Sequence, residues 1–424
     1  MKILLIDVHF EKNLIPFQKS VPSLVLRQIS ALTPKEHEIH LIEDGKIRSQ
    51  EYEKDYDLVG ISTVTPAALY AYEIADQFRK NGKTVILGGY HPSALPKEAK
   101  QHADSVVIGE AEIVWSKILE DYKNKKLRPF YMNPEPVKPE NIPNPDRTNI
   151  NKNIKVAPIK FSRGCPIGCE FCSISHKKYG NIHRKKPIEN IMKDVQTIKE
   201  KYLFVTDPSL TIDVEFTKQI FGKLRAMDKK LYYCQGNANV LKREDELLKL
   251  ASEAGCLQWH IGFESISQET LNSIGKTTNK VKDYKKTIQK INDYGMAVSG
   301  EFVFGFDSDK LDVFKKTEEE IRTWNITPGF QVLIPYPGSL LYSRLEKENR
   351  IVTKDWSKYT TRDVVFKPKQ MTPQQLEEGV KELAQDFYSY SKAMKRSLKS
   401  LKLGLNVFNH VTNENFYLYN SRNI

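Results

Sequence analysis

The chain has 424 residues, a length for two or three domains, and 40% hydrophobic side chains, enough for packed α/β cores. Scattered glycine and proline exclude collagen-like and low-complexity segments, and an odd count of five cysteines speaks against a disulfide framework. The net charge of +12 comes from lysines dispersed over helix faces without a nucleic-acid-binding motif, so nucleic acid is not the expected partner.

The opening run Met1–Asp7 reads as a short apolar strand rather than a secretory leader. No apolar run approaches the roughly 18 residues of a membrane span, which predicts a cytoplasmic protein. Over residues 1–125 strands are predicted at Lys2–Val8, His37–Glu43, Leu58–Ser62, Thr84–Leu87 and Ser105–Ile108. Helical patterns alternate with them at Leu24–Leu32, Ala67–Asn81, Pro96–His102 and Ile113–Tyr122. That alternation predicts a doubly wound parallel sheet. Residues 126–153, with Pro129, Pro134, Pro136, Pro139, Pro143 and Pro145, read as a linker.

From residue 154 to 341 a second series is predicted, with strands at Ala157–Ser162, Tyr202–Thr206, Leu231–Gln235, Gln258–Phe263, Ala297–Phe304 and Gly329–Ile334. Six βα repeats imply an incomplete (βα)6 barrel with its site at the carboxyl ends of the strands. Residues 342–424 read as mainly helical, with a long helix at Pro373–Lys392 capped by Thr372. Within this region Ser391–Lys402 is basic and amphipathic, a pattern that suits a membrane surface or a solvated face. Trp356 and Tyr359, at i and i+3, fit a core better than a substrate pocket.

The chemistry concentrates at Arg163–Cys172, RGCPIGCEFC, directly after the first strand of the second series. Cys165, Cys169 and Cys172 put three soft thiolates on one loop, each able to bind one iron of a [4Fe–4S] cluster. Gly164 and Gly168 let the backbone wrap closely. Three local ligands leave one iron open to a further ligand. Zinc completed by His176 or His183 is the alternative, although no second paired-cysteine set follows. Cys234 and Cys256 lie in or beside apolar strands and read as core residues.

C-x3-C-x-aromatic-C after the first strand of a six-fold βα series resembles the radical S-adenosylmethionine (SAM) superfamily. The resemblance implies that SAM chelates the open iron and is cleaved by one electron to a 5′-deoxyadenosyl radical. It implies an electron donor such as flavodoxin or ferredoxin. It places Phe171 near the adenine, Asp207 near the SAM amino group, and Gln235, Asn237 and Glu264 near the ribose and methionine. Asp207 stands where the family often has Gly-Gly-Glu, a departure from the pattern. The segment Gly300–Asp307 resembles the part of the fifth strand beside the adenine, with Gly300 permitting close approach.

The N-terminal segments GISTVT (60–65), GGYHPS (88–93) and VIGEAE (107–112) resemble the cobalamin-binding domain that precedes many radical SAM cores. Ser62, Thr65, Gly88, Gly89 and Gly109 are then expected around the nucleotide tail, with His91 bordering the cofactor. The stretch Asp7–Lys12 departs from the D-x-H-x-x-G pattern, so His9 is not the expected cobalt ligand. The resemblance as a whole implies a cobalamin-dependent methyltransferase acting on an unactivated carbon of a small-molecule or lipid-like substrate. A radical SAM cyclase, oxidase, mutase or C–C coupling enzyme with a degenerate cobalamin domain is the second reading. A non-catalytic iron–sulfur or cobalamin carrier is the third.

Overall fold

A computed structural model describes residues 1–8, 21–43, 45–150, 155–176 and 178–421. His9 lies outside the described residues. The first sheet is built from β1 (Lys2–Val8), β2 (Glu38–Ile42), β3 (Leu58–Thr63), β4 (Thr84–Gly89), β5 (Ser105–Ile108) and β6 (Phe130–Met132). Its order is β2-β1-β3-β4-β5-β6, and all pairs are parallel. β1 reads KILLIDV, and Ile3 to Ile6 are buried in an unbroken run. A strand covered by helices on both faces requires that pattern. Strand order reverses between β1 and β3, and the crevice outside their carboxyl ends is where such sheets take ligands.

β6 falls inside the stretch expected to be a linker. Pro129 precedes it and accepts a hydrogen bond from Val106 N through its carbonyl, 3.0 Å. A proline without an N–H is harmless at a sheet edge, so proline density overstated the linker. The remaining connection is held at both ends. Arg27 donates to the carbonyls of Asp146 and Thr148, and Arg147 pairs with the buried Asp194 at 3.0 Å.

The second sheet contains β7 (Val156–Ile159), β10 (Tyr202–Val205), β11 (Lys230–Gln235), β12 (Gln258–Glu264), β13 (Ala297–Phe304) and β14 (Thr327–Val332). Its order, β14-β13-β12-β11-β10-β7, follows the chain in reverse and is parallel throughout, as the six-fold reading expects. Two short strands, β8 (Ser162–Arg163) and β9 (Arg184–Lys185), pair antiparallel at its mouth and frame the cysteine loop. Helices cover the outer face. In Tyr284–Asp293 the buried residues Tyr284, Thr287, Ile288 and Ile291 recur at helical spacing. The Phe263 ring packs there on Tyr284, Phe302 and Trp324.

Thr372 caps Pro373–Phe387 with a full capping box to Gln375. The expected single helix to Lys392 breaks at Tyr388–Ser389 and restarts as Tyr390–Ser400. Arg396 donates back to the Phe387 carbonyl at 2.8 Å, satisfying an acceptor that a continuous helix would have used. After Gly404 the helix Leu405–Ser421 returns against Tyr390–Ser400 as a hairpin. Trp356 and Tyr359 are buried core residues, 3% and 0% exposed. Among the described residues no helix is long and apolar enough to cross a membrane.

Candidate functional site

The cysteine loop starts from a fixed point. Asp207, just past β10, accepts from Phe161 N at 2.8 Å and from Ser162 N and Oγ at 2.6 Å each. Both its oxygens are engaged and it is 1% exposed, so it anchors the strand end rather than offering a carboxylate to SAM. This corrects the sequence expectation. Gly164 has φ +86°, and a Cβ there would fall 2.1 Å from the Ile182 carbonyl oxygen, so only glycine fits. Cys165 N donates to Gly180 O, Glu170 N to Ile274 O, and Leu341 N to Glu170 O, pinning the loop from three sides.

Cys165, Cys169 and Cys172 are free thiols on this loop. Burial pushes Cys169 up to about 11 and raises Cys165, while the Lys276 ammonium opposes the shift at both. Binding iron would have to overcome that desolvation, which a soft-metal cluster does by replacing the proton. Among the described residues no three His, Cys, Asp or Glu side chains converge tightly enough for a single ion.

Beside the cysteines, Lys276 bonds Glu264 at 2.8 Å, and both are nearly buried. Burial opposes the Lys276 charge, yet Glu264 and Cys169 hold its pKa up. Glu264 ends β12 at a register shift with φ +63°, a left-handed conformation unusual for a long side chain. A Cβ on Gly262 would lie 2.3 Å from Glu264 Oε1, so that glycine makes room for the carboxylate. Strain of this kind persists where surroundings over-determine it and clusters at functional sites. Nothing local in the sequence pointed to Lys276.

Phe171 and Phe306 bring their rings to 6.0 Å and line a cavity of ≈390 Å³ with Gly168, Leu333, Arg344 and Phe366. The structure thus joins the aromatic of the cysteine motif to the end of the fifth-strand segment. Gln235 ends β11 half-buried. Asn237 is turned aside, its amide donating to Ser209 at 2.9 Å and Thr211 at 3.0 Å, the loop hydrogen bonding that competes with a ligand role. Gly300 is also corrected. A Cβ there would strike the Phe263 ring at 2.7 Å, so its smallness serves core packing. Within the barrel, the Tyr233 and His260 rings meet in a tilted pair with centroids 4.9 Å apart, and Glu301 accepts from Gln331 at 2.7 Å. Burial and the Glu264 and Glu414 charges push Glu301 up to about 7, and burial with Lys276 lowers His260 to about 4.

At the first sheet, Ser62, Gly88, Gly89 and Gly109 lie at or just beyond the carboxyl ends of β3, β4 and β5. Gly109, φ +89°, has nothing within 4 Å of a Cβ built on it, whereas Gly89, φ +100°, would meet Thr63 O at 2.5 Å. Ser93 Oγ links them, accepting from Gly109 N at 2.9 Å and donating to Gly89 O at 2.6 Å. Small residues at these ends, with open space beside Gly109, fit the nucleotide tail of a cobalamin. His91 and Thr65, which follow β4 and β3 at the same end of the sheet, are both buried. His91 is fully buried and sits 3.3 Å from Thr65 Oγ1 and 3.2 Å from Glu98 Oε1, and Glu98 also accepts from Trp356 Nε1 at 2.8 Å. These two residues, expected at the cofactor, belong to a network that ties the first sheet to the C-terminal region.

A second tie reaches the cysteine loop itself. Arg163 donates to Glu110 at 3.2 Å, to Gln28 at 3.2 Å and to Glu112. Arg184 grips Glu110 with two bonds, 2.7 and 2.8 Å. Burial alone would raise the Glu110 carboxyl, but Arg184 and Arg163 hold it at about 2. Arg163 and Glu110 stood in the quoted motifs, but only the fold shows that they meet.

Comparison with known proteins falls on the same two sheets. Residues 21–119 match the model of the B12 binding domain and residues 159–321 that of the radical SAM superfamily. Bacteriochlorophyllide d C-8(2)-methyltransferase of Chlorobaculum tepidum is 31% identical over 408 residues, 90% of this chain and 88% of that protein. Bacteriochlorophyllide d C-12(1)-methyltransferase of the same organism is 30% identical over 393 residues, 88% of this chain and 84% of that protein. The fold is similar to that of the radical SAM methyltransferase TsrM from Kitasatospora setae, solved with cobalamin and a [4Fe–4S] cluster, with TM-score 0.66, 15% identity and coverage of 89% and 84%. With a B12-binding sheet joined to a radical SAM barrel and such identity over nearly the whole chain, the protein belongs to the cobalamin-dependent radical SAM methyltransferases, which use a [4Fe–4S] cluster, SAM and cobalamin.

Proposed function

We propose that the chain methylates an unactivated carbon of a small, largely apolar molecule, with the cluster on Cys165, Cys169 and Cys172. The observation that carries this reading is the buried junction of Arg163, two residues before the first cysteine, with Glu110 and Glu112 just past β5. It fastens the cysteine loop to the strand ends that suit cobalamin. The two relatives named for bacteriochlorophyllide methylation support a small-molecule substrate of that kind. When bound, the cluster and SAM supply a 5′-deoxyadenosyl radical and cobalamin supplies the methyl group.

The chain's own residues bind and orient. The three thiols hold iron and leave one coordination position open. Glu264, held by Lys276, presents a fixed carboxylate to the SAM ammonium, with Gln235 nearby at the strand ends. Phe171 and Phe306 flank the purine. Ser62, Gly88, Gly89 and Gly109 line the cobalamin tail. Residues 1–132 form the cobalamin-side domain, 154–341 the barrel, and 342–424 the region that closes it. A soluble low-potential donor such as flavodoxin or ferredoxin supplies the electron in the cytoplasm, and the basic segment Ser391–Lys402 meets a membrane surface.

The test is anaerobic preparation with iron, sulfide and cobalamin, followed by addition of SAM and a low-potential reductant. About four irons and four sulfides, a cobalamin spectrum and 5′-deoxyadenosine are expected. Glu264→Ala should weaken SAM binding and leave the cluster absorption intact. Protein that takes zinc instead of iron, or no cobalamin in any oxidation state, refutes the assignment.

A further inference from the structure

The C-terminal hairpin closes the barrel at the end opposite the cysteines. Leu403, Val407 and Val411 pack on Leu257 and Ala297, at the starts of β12 and β13. His410 and Glu414 bond the Gln258 side chain at 2.6 and 2.7 Å. The inward face of the hairpin is therefore packed on the barrel base.

Its outward face has a different composition. From residue 387 to 413 there is no acidic side chain, while Lys392, Lys395, Arg396, Lys399 and Lys402 fall in this stretch. Arg396 is turned inward to Phe387 and Asn415, and Lys392 is paired with Glu318 and Asp386. Lys395, Lys399 and Lys402 are exposed and form no ion pair among the described residues. Interleaved with them, Leu398, Leu401 and Leu405 are 53%, 45% and 74% exposed. Gly404, φ +102°, makes the turn that sets Leu401, Lys402 and Leu405 at the hairpin tip.

Single exposed leucines are ordinary on protein surfaces. Three at one tip, between three lysines that form no ion pair among the described residues, form an apolar–basic face. Such a face is complementary to anionic lipid, since leucines enter the headgroup boundary while lysine stems extend to phosphates. A second copy would bring like charges together, and nucleic acid would leave the leucines unused. We infer that the tip of this hairpin docks on an anionic lipid bilayer. The inference rests on the membrane contact proposed above and is independent of the methylation chemistry. It sets the base of the barrel against the bilayer and turns the cysteine loop toward the aqueous side, where a soluble electron donor arrives.

Flotation of the full-length reconstituted protein with vesicles of phosphatidylcholine, alone or mixed with phosphatidylglycerol, tests it. Co-flotation with the mixed vesicles only, weakening as salt rises, is expected. A Lys395→Ser, Lys399→Ser, Lys402→Ser variant should lose about five-fold in partitioning per lysine, about a hundred-fold in all. A Leu398→Ser, Leu401→Ser, Leu405→Ser variant should lose the binding that survives at high salt. Both variants should form 5′-deoxyadenosine from SAM in solution at the wild-type rate, which shows them folded and separates this test from that of the chemistry. Equal binding to neutral vesicles, or variants that bind like wild type, would overturn the inference. So would a wild-type dimer dissolved by the leucine changes, or polynucleotide binding lost with the lysines while vesicles stay unbound.

Discussion

Glu110→Gln keeps the shape of the side chain and removes the charge that joins the two sheets. The carboxylate is 12% exposed, and its partners Arg163 and Arg184 are 12% and 7% exposed, so the three are largely desolvated. Arg163 keeps the anionic Glu112 and Gln28 after the change, but Arg184 is left with neutral acceptors alone, the new amide oxygen and the Val137 carbonyl at 3.1 Å. Leaving a buried guanidinium without its anion costs about 3–5 kcal/mol. At roughly 2–4 °C per kcal/mol for a domain of this size, the apo protein should melt about 6–20 °C lower. Glu112→Gln should cost less, because Arg163 retains Glu110. A double-mutant cycle with Arg184→Met isolates the coupling. The reconstituted Glu110→Gln enzyme should still hold its cluster and form 5′-deoxyadenosine, while methylated product falls about ten- to hundred-fold, since small misplacements are amplified in rate. Wild-type melting with zero coupling to Arg184 would show that the junction carries neither stability nor alignment.

Cys165→Ala, Cys169→Ala and Cys172→Ala should each abolish the iron–sulfur absorption of reconstituted protein, whereas Cys234→Ala and Cys256→Ala, in the buried core, should keep it. The two glycines at the first sheet should separate in effect. Gly89→Leu forces a Cβ to 2.5 Å from Thr63 O and should prevent folding of that sheet by circular dichroism. Gly109→Leu enters open space, so it should fold with a penalty of about 1–2 kcal/mol for its positive φ and weaken cobalamin binding in a spectral titration. Glu301 supplies a pH test. Its folded pKa, raised to about 7 by burial, means that the apo protein loses stability as pH rises from about 4.5 through 7, where the folded state binds the proton more tightly. At about 1.4 kcal/mol per unit, Glu301→Gln should gain melting temperature relative to wild type between pH 5 and pH 8. A difference that stays flat over that range would refute the buried-carboxylate reading.

Features that depend on periodicity or on short motifs were legible before the fold was known. The strands β1 to β5, the six parallel strands of the barrel and the cysteine loop follow from runs such as KILLIDV and RGCPIGCEFC, whose information is local. The misplacements have physical reasons. Pro129 signals a linker only until its carbonyl is seen to accept from Val106 at a sheet edge. The break at Ser389 depends on Arg396 reaching Phe387, seven or more residues from the break itself. Gly300 looked like a ligand glycine because the space beside it is filled by Phe263 from the neighbouring strand, which no local pattern reveals. Lys276 follows a short helix without periodic or motif signal, and only the strained Glu264 gives it a role.

His91 and Arg163 together explain how the two sheets keep their mutual placement. Each sits in a motif that reads as cofactor-binding, and each in fact spans the domains: His91 through Glu98 to Trp356, Arg163 through Glu110 beside Arg184. Apolar contact between domains fixes distance but tolerates sliding, because the hydrophobic effect is non-directional. Hydrogen-bonded charges do not tolerate it, since a bidentate guanidinium–carboxylate pair has one geometry and an unpaired buried ion is costly. A reaction that must align a methyl donor held by one sheet with a radical generated beside the other needs that directional fixing more than it needs adhesion. The residues that supply it stand in the motifs nearest the two sites, where position in the sequence alone does not reveal the partner across the domains.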